Sequence, residues 1–337
     1  MKPEGGRMKV AVLSFAHERA ATYARLLRAT PGVDLLVADP EGPPDEQGRG
    51  PAAALRLDAT YAGSWDKAFA LRPDAVVVTS EVARRRELVE RAAEIGAHVL
   101  CEQPLAATEA DADAMARACA DAGVRLALVA PACCGPAFAA VRRQLADGAA
   151  IGPLTTVHGA YHGPAAPEAG GALRTHAAVL LDLVDTVLDG TPAARVYAQT
   201  NTVLSGEADV ESTALLTVRY ADGTVAALDG SWSPPTDPAG GGPALTFVGE
   251  RGSVEFTARP KLLGGFDSAT GRERRTTGGA DPYAAVLDAF VASVGTGHWT
   301  GPDGATGVRT LRVIRAAYES ARTGRPVDVA VPEPARP

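Results

Sequence analysis

The chain has 337 residues, of which 46% are hydrophobic and 22% charged, with a formal net charge of −7. That length supports two domains with separate cores. The acidic balance excludes nucleic acid and anionic membrane as main partners, because both require a basic face. The apolar run Val10–Ala16 is too short for a secretory signal, and Leu126–Val141 is broken by Pro131, Gly135 and Pro136, so no membrane span is expected. Cys101, Cys119, Cys133 and Cys134 form no CxxC pair, and the six histidines are dispersed. Reduced thiols in a cytoplasmic protein, and no metal site, follow as expectations.

The first part alternates strand and helix. Lys9–Leu13 is a short apolar strand, followed by a helical pattern with apolar positions at Ala20, Tyr23, Ala24, Leu26 and Leu27. A second strand, Val33–Ala38, ends at Asp39. After the Pro/Gly-rich stretch Pro40–Pro51 come a helix around Trp65–Leu71, a strand Ala75–Thr79, and a helix Arg84–Ile95. The strand His98–Cys101, the helix Glu109–Ala122 and the strand Arg125–Val129 complete the series. Apolar runs separated by helices predict a doubly wound α/β domain over residues 1–130, with a parallel sheet covered on both faces.

The pattern changes over residues 131–337. A helix near Ala137–Ala146, a strand Leu154–Tyr161, a Gly/Pro/Ala-rich loop Gly163–Gly171 and a helix Leu173–Leu188 come first. The strands Arg195–Thr202, Ser212–Tyr220, Thr224–Trp232, Ala244–Val248 and Ser253–Thr257 follow, with a surface loop at Pro234–Gly242. Asp222-Gly223 between two of them is a hairpin signal. The set predicts an α+β domain whose mostly antiparallel sheet has one face covered by helices. Helices Tyr283–Val294 and Thr306–Thr323 close the chain, the last placed to pack back on the first domain.

A dinucleotide fold places GxGxxG between its first strand and first helix, where glycines permit a tight turn and close approach to pyrophosphate. The equivalent stretch here is Ser14-Phe15-Ala16-His17-Glu18-Arg19, with none of the three glycines. Ser14 and Ala16 are small enough to leave room for phosphate, and the helix N-terminus offers unpaired N–H groups. His17 and Arg19 can add donors, against the plainer reading of both as helix-surface residues. Asp39 lies about 20 residues beyond the turn, where an acid accepts hydrogen bonds from ribose hydroxyls. A turn-forming aspartate before Pro40 is the competing reading. No arginine adjoins it to meet a 2′-phosphate, so NAD is favoured over NADP. Thr79 and Ser80, closing the strand that begins at Ala75, join the candidate cofactor residues.

Three separated stretches, HVLCEQPLA (98–106), GGALRTHAAVLLDLVDTVLDG (170–190) and GVRTLRVIRAAYESARTGRPVDV (307–329), resemble the Gfo/Idh/MocA family of oxidoreductases. The resemblance spans nearly the whole chain. It implies an N-terminal Rossmann domain and a C-terminal α/β domain with an open sheet. It also implies NAD(P)-linked chemistry on sugars, cyclitols or related small molecules, and assembly into dimers or tetramers. Family members typically carry Glu-Lys-Pro where this chain has Glu102-Gln103-Pro104, a place beside the nicotinamide, and a cis bond before Pro104 fits the bend there. Their second motif puts an aspartate and, four residues on, a histidine at positions that align with Thr175 and Val179. Only Asp182 of that motif is kept.

Moving hydride from a carbinol requires a group to take the hydroxyl proton, and losing that group commonly costs about 10²–10⁴ in rate. Glutamine donates a hydrogen bond without ionising, threonine does little more, and valine does neither. Gln103 is therefore expected to position a substrate oxygen or the cofactor carboxamide. On an ideal helix Thr175, Val179 and Asp182 share one face, with His176 rotated about 100° from Thr175. His176 is the first alternative proton carrier, and Tyr161 and His162, at the end of a strand, are further ones. The readings left open are an oxidoreductase with an unusual proton relay, a nucleotide-binding or regulatory protein that has lost turnover, and a non-redox enzyme reusing the pocket.

Overall fold

Four successive uncharged residues, Val10–Leu13, are completely buried at the middle of the first sheet. Strands covered on both faces need such runs, because neither side of the ribbon meets water. The computed structural model describes residues 7–39, 49–146, 148, 150–165, 170–206, 209–233, 242–258, 261–277 and 281–329. Contacts divide the chain into two compact units, one of residues up to 131 with 283–308, the other of residues 132–282 with those from 309 onward.

The first unit runs β1 (Met8–Leu13), α1 (Ala20–Ala29), β2 (Val33–Ala38), α2 (Arg49–Leu57), β3 (Thr60–Gly63), α3 (Trp65–Ala70) and β4 (Ala75–Val78). It continues with α4 (Val82–Glu94), β5 (His98–Cys101), α5 (Glu109–Asp121) and β6 (Leu126–Leu128). All six strands are parallel, in the order β3-β2-β1-β4-β5-β6. That is the doubly wound Rossmann order. The order reverses between β1 and β4, so Leu13 pairs with Val78 and the two following loops emerge side by side.

Helix α2 begins within the Pro/Gly-rich stretch, and it and strand β3 fill the residues before Trp65 for which the sequence pattern predicts no element. Pro51 occupies the first turn of α2, where a missing N–H costs nothing, and Ala52–Leu57 carries the helix on. Residues 40–48 and most of the expected loop 234–242 lie outside the described residues. Helix α9 (Pro282–Thr296), from Tyr283 on, and the segment to Val308 belong to this unit. There the Leu128 N–H donates to Pro302 O at 2.9 Å, and Gly307 leaves space for Leu105 and Leu128.

The second unit contains α7 (Pro136–Ala146, after the short α6, Pro131–Cys134), β7 (Leu154–His162) and α8 (Ala178–Val187). Strands β8 (Ala193–Asn201), β9 (Thr213–Tyr220), β10 (Val225–Ser231), β11 (Ala244–Gly249) and β12 (Gly252–Thr257) follow. With β15 (Val327–Asp328) they form a sheet ordered β12-β11-β7-β10-β9-β8-β15, in which only β7–β10 is parallel. The Asp222-Gly223 hairpin joins β9 to β10, with Gly223 at φ +95°. A separate two-stranded ribbon, β13 (Lys261–Asp267) with β14 (Arg272–Thr277), has no counterpart among the expected strands, its sequence lacking the alternation of a half-buried strand. Helix α10 (Gly304–Thr323) closes the unit: Thr310 donates to the buried Asp182 at 2.6 Å, and Arg309 pairs with both oxygens of Asp185. Leu216, Val218 and Tyr220 all face inward, whereas Leu215 lies on the opposite face, about half exposed.

Close backbone approach governs the join between β11 and the chain before β7. A Cβ at Gly249 would strike the carbonyl oxygen of Ile151, while one at Gly252 would meet nothing nearer than 3.9 Å. Gly249→Ala should therefore lower the urea-unfolding free energy by about 1–3 kcal/mol, and Gly252→Ala by no more than about 0.5 kcal/mol.

Candidate functional site

The turn after β1 forms without its glycines because Ser14 itself adopts the left-handed conformation, at φ +81°. That conformation costs a non-glycine residue roughly 1–2 kcal/mol, and local hydrogen bonds offset it. Ser14 Oγ accepts from the Ala16 N–H at 3.1 Å, and Thr79 Oγ1 donates to the carbonyls of Leu13 and Ser14. The Phe15 N–H donates to Asp39 Oδ1 at 2.9 Å, the His17 N–H to Thr79 O at 3.2 Å, and the Arg19 N–H to His17 Nδ1 at 3.3 Å. Four N–H groups of the turn are thus already engaged, contrary to the expectation of an open row of donors. His17 Nδ1 also lies 3.7 Å from Glu102 Oε1. Arg19 lies over the Tyr283 ring, 4.9 Å from its centroid.

Asp39 is buried at the end of β2, and the Gly50 N–H donates to its other oxygen, Oδ2. A Cβ at Gly50 would fill the space that carboxylate occupies. The acid therefore joins the β1–α1 turn to the start of α2, a role the sequence does not suggest. The sheet order reverses at this place, and an acid at the end of β2 beside the β1 turn fits the adenosine end of a dinucleotide.

The next loop is held by Arg85, buried on α4. Its guanidinium donates to the carbonyls of Ser80 at 3.2 Å, Glu102 at 2.7 Å, and Pro104. The Gln103–Pro104 bond is cis, as the proline allows. The Glu102 carboxylate accepts from Tyr23 Oη and, at 3.0 Å, from the Gln103 N–H. Burial, and then the adjacent Glu102, push the Tyr23 hydroxyl well above the ordinary phenol range, so it stays a donor. Gln103 itself is half-buried, with its backbone tied to this anchored carboxylate. Ser80 Oγ donates to Glu81 O.

In the second unit, the segment before α8 is not regular helix. Residues 173–177 form a π-helical turn, closed by the Ala178 N–H bonding Leu173 O. The i, i+4, i+7 relation of Thr175, Val179 and Asp182 therefore does not hold across it, since α-helical phase is lost in a wider turn. Asp182, hydrogen-bonded to Thr310, is a packing residue of the core. His176 is buried instead, its Nδ1 2.9 Å from Thr175 Oγ1 and its ring 4.4 Å from that of Tyr161. Thr175 Oγ1 also lies 3.0 Å from Gly171 O and 3.3 Å from Trp232 Nε1. Gly163 and Gly230 make room: a Cβ at Gly163 would come within 2.7 Å of His176 Nε2, and one at Gly230 within 2.9 Å of the Ala177 nitrogen. His162, by contrast, is spent on Asp229, with Nε2 3.0 Å from Oδ2. Glu211 accepts from the Leu173 N–H and from Tyr318 Oη, anchoring the entrance of the turn.

A family model described as "Oxidoreductase family, NAD-binding Rossmann fold" matches residues 44–129, and "GFO/IDH/MocA C-terminal domain" matches residues 138–255. The chain belongs to the Gfo/Idh/MocA family of oxidoreductases. Its first unit is the NAD-binding Rossmann domain. A 1,5-anhydro-D-fructose reductase from Ensifer adhaerens is 27% identical, covering 98% of this chain and 93% of its own. A D-apiose dehydrogenase from Paraburkholderia graminis is 28% identical over 84% of this chain and 80% of its own. The crystal structure of GenD2 from gentamicin A biosynthesis, in complex with NAD, shares the fold with a TM-score of 0.82 at 24% identity, over 98% of this chain and 100% of that one.

Arg85, Trp232 and Glu211 carry no signal in the sequence. Arg85 sits in Arg84-Arg85-Arg86, a run that reads as a solvated helix face, and Trp232 reads as the last residue of a strand. Among the described residues no group of histidine, cysteine and acidic side chains could hold a metal, and no helix is long and apolar enough to cross a membrane.

Burial, and then the neighbouring His162, lower the His176 pKa from 6.5 to about 4. The unfolded chain binds this proton near pH 6.5 and the folded chain only near pH 4, so stability is lost as pH falls through that interval. Wild type should lose on the order of 3 kcal/mol between about pH 7 and about pH 4 from this one group. His176→Gln should remove that part of the slope, as measured by urea midpoints across the range.

Proposed function

We propose that the protein is an NAD-dependent oxidoreductase of a sugar, cyclitol or similar hydroxy or carbonyl compound, with His176 as its proton carrier in place of the missing lysine. The observation that carries this reading is the buried His176, neutral at ordinary pH, with Nδ1 occupied and Nε2 without a hydrogen-bond partner among the described residues. A neutral imidazole nitrogen can take the hydroxyl proton of a carbinol, or return it in the reverse reaction. Bound NAD supplies the hydride acceptor. Asp39, Ser14, Phe15, Ala16, His17, Arg19, Thr79, Ser80 and Glu102 are the residues assigned to hold it, with Asp39 on the ribose. The Gln103 amide orients a polar group of cofactor or substrate without ionising, and Tyr161 packs the His176 ring. The names of the two sugar-acting relatives support the substrate class.

Gln103, Thr175 and Val179, at positions where the family resemblance implies ionisable groups, favour a second reading: a nucleotide-binding protein without turnover. Four unpaired cysteines, three of them buried, support a cytoplasmic setting. Self-association through the outer face of the seven-stranded sheet is part of the proposal. Leu215 lies on that face, beside a shallow depression of about 630 Å³ lined by His158, Tyr197, Thr217, Asp229 and Thr246.

Calorimetric titration should show NAD binding more tightly than NADP, with Asp39→Ala narrowing the difference; equal affinities in wild type overturn the Asp39 assignment. Against a panel of aldoses, ketoses and cyclitols, NADH should form, and His176→Gln should lower kcat by about 10²–10⁴ while NAD affinity is kept. NAD binding with no turnover on any of the panel supports the second reading. Light scattering at micromolar concentration should give a dimer or tetramer, and Leu215→Glu a smaller species.

A further inference from the structure

A hydroxyl has one hydrogen to give and two lone pairs to receive with, and all three are used at Thr175. Gly171 O, 3.0 Å from Oγ1, can only accept, so it takes the hydroxyl hydrogen. The Trp232 indole can only donate, and its Nε1–H fills one lone pair from 3.3 Å. The remaining lone pair faces His176 Nδ1 at 2.9 Å, so Nδ1 must be the donor there. The hydrogen of the neutral ring is then on Nδ1 and the basic lone pair on Nε2.

We propose that Trp232 and Thr175 are positioning residues that hold His176 in its Nδ1–H form, so that Nε2 is the atom that exchanges the substrate proton. The proposal rests on the reading of His176 as proton carrier. Its logic turns on Trp232. With the indole in place, the threonine hydrogen is directed to Gly171. Without it, the hydroxyl is free to rotate and donate to Nδ1, which moves the ring hydrogen to Nε2 and removes the base. Gly230, pressed against the Ala177 backbone, keeps the π-helical turn near β10, which ends one residue before Trp232. The titratable groups facing the ring come from β7 and β10: Tyr161 in ring contact, and His162 with its partner Asp229. Among the described residues, none of them offers Nδ1 a competing acceptor within hydrogen-bond distance.

The test is ¹⁵N NMR of the histidine rings in the full-length protein at about pH 7, with His176 assigned by comparison with His176→Gln. Wild type should show a protonated Nδ1 and an unprotonated Nε2. Trp232→Phe, which keeps an aromatic ring of similar shape, should shift the population toward Nε2–H and lower kcat about tenfold or more with KM changed less than about twofold. Thr175→Val should do the same, and Thr175→Ser should restore the wild-type pattern. An Nε2–H ring in wild type, or an unchanged tautomer in both Trp232→Phe and Thr175→Val, overturns the proposal. Wild-type turnover by His176→Gln, with the tautomer as expected, instead removes the proton-carrier reading and leaves the tautomer assignment standing.

Discussion

Arg85 is the one buried guanidinium, among the described residues, on which the geometry of the first unit's loops depends. Parallel strands end together at one edge of the sheet, and each ending leaves carbonyl groups that no neighbouring strand can satisfy. Arg85 reaches across from α4 to three such carbonyls, those of Ser80, Glu102 and Pro104. A guanidinium has five N–H donors in a planar fork, which no lysine could imitate. The loop after β4 and the loop after β5 are tied to the same group, and Gln103 is carried between two of its ligands. The backbone that carries Gln103 is consequently fixed on both sides.

The turn after β1 solves a related problem by different means. A glycine-rich turn keeps its N–H groups open for phosphate, whereas this one spends them internally on Asp39, Ser14, Thr79 and His17. The gain is a serine held in a conformation that glycine usually takes. On the proposed reading, phosphate recognition then falls to side chains, His17 and Arg19 foremost. Asp39 serves the first of these, since its carboxylate fixes the turn while standing at the end of β2.

Most strands are legible because burial imposes a pattern that composition displays. Short apolar runs such as Ala75–Val78 have no charge to place, and the alternation of Ala214, Leu216, Val218 and Tyr220 with exposed neighbours marks a half-buried strand. Helix α2 is obscured because Pro51 reads as a breaker when it stands in fact in a first turn. The π-helical turn is illegible for a deeper reason: Leu173–Ala177 has ordinary helical composition, and the groups packed against it, Glu211 and Gly230, lie far along the chain. The site divides in the same way. Asp39, Gln103 and His176 stand out as residue types at particular places along the chain. Arg85 and Trp232 act through hydrogen bonds to partners 17 and 57 residues away, a separation that local pattern does not report.

The family resemblance implies ionisable groups at positions 103, 175 and 179, and on the proposed reading their replacement and the seating of His176 bear on one question, where the substrate proton goes. Valine at 179 cannot carry it, threonine at 175 is committed to Gly171, Trp232 and His176, and glutamine at 103 does not ionise. On the proposed reading His176 carries it, neutral because burial lowers its pKa and held through Nδ1 against Thr175. A crystal structure of the protein with NAD and a turned-over sugar or cyclitol tests this most directly. The account predicts a substrate oxygen within about 2.6–3.2 Å of His176 Nε2, the distance that proton transfer requires. A reacting oxygen held by other groups, with His176 Nε2 still against Gly163, would contradict it.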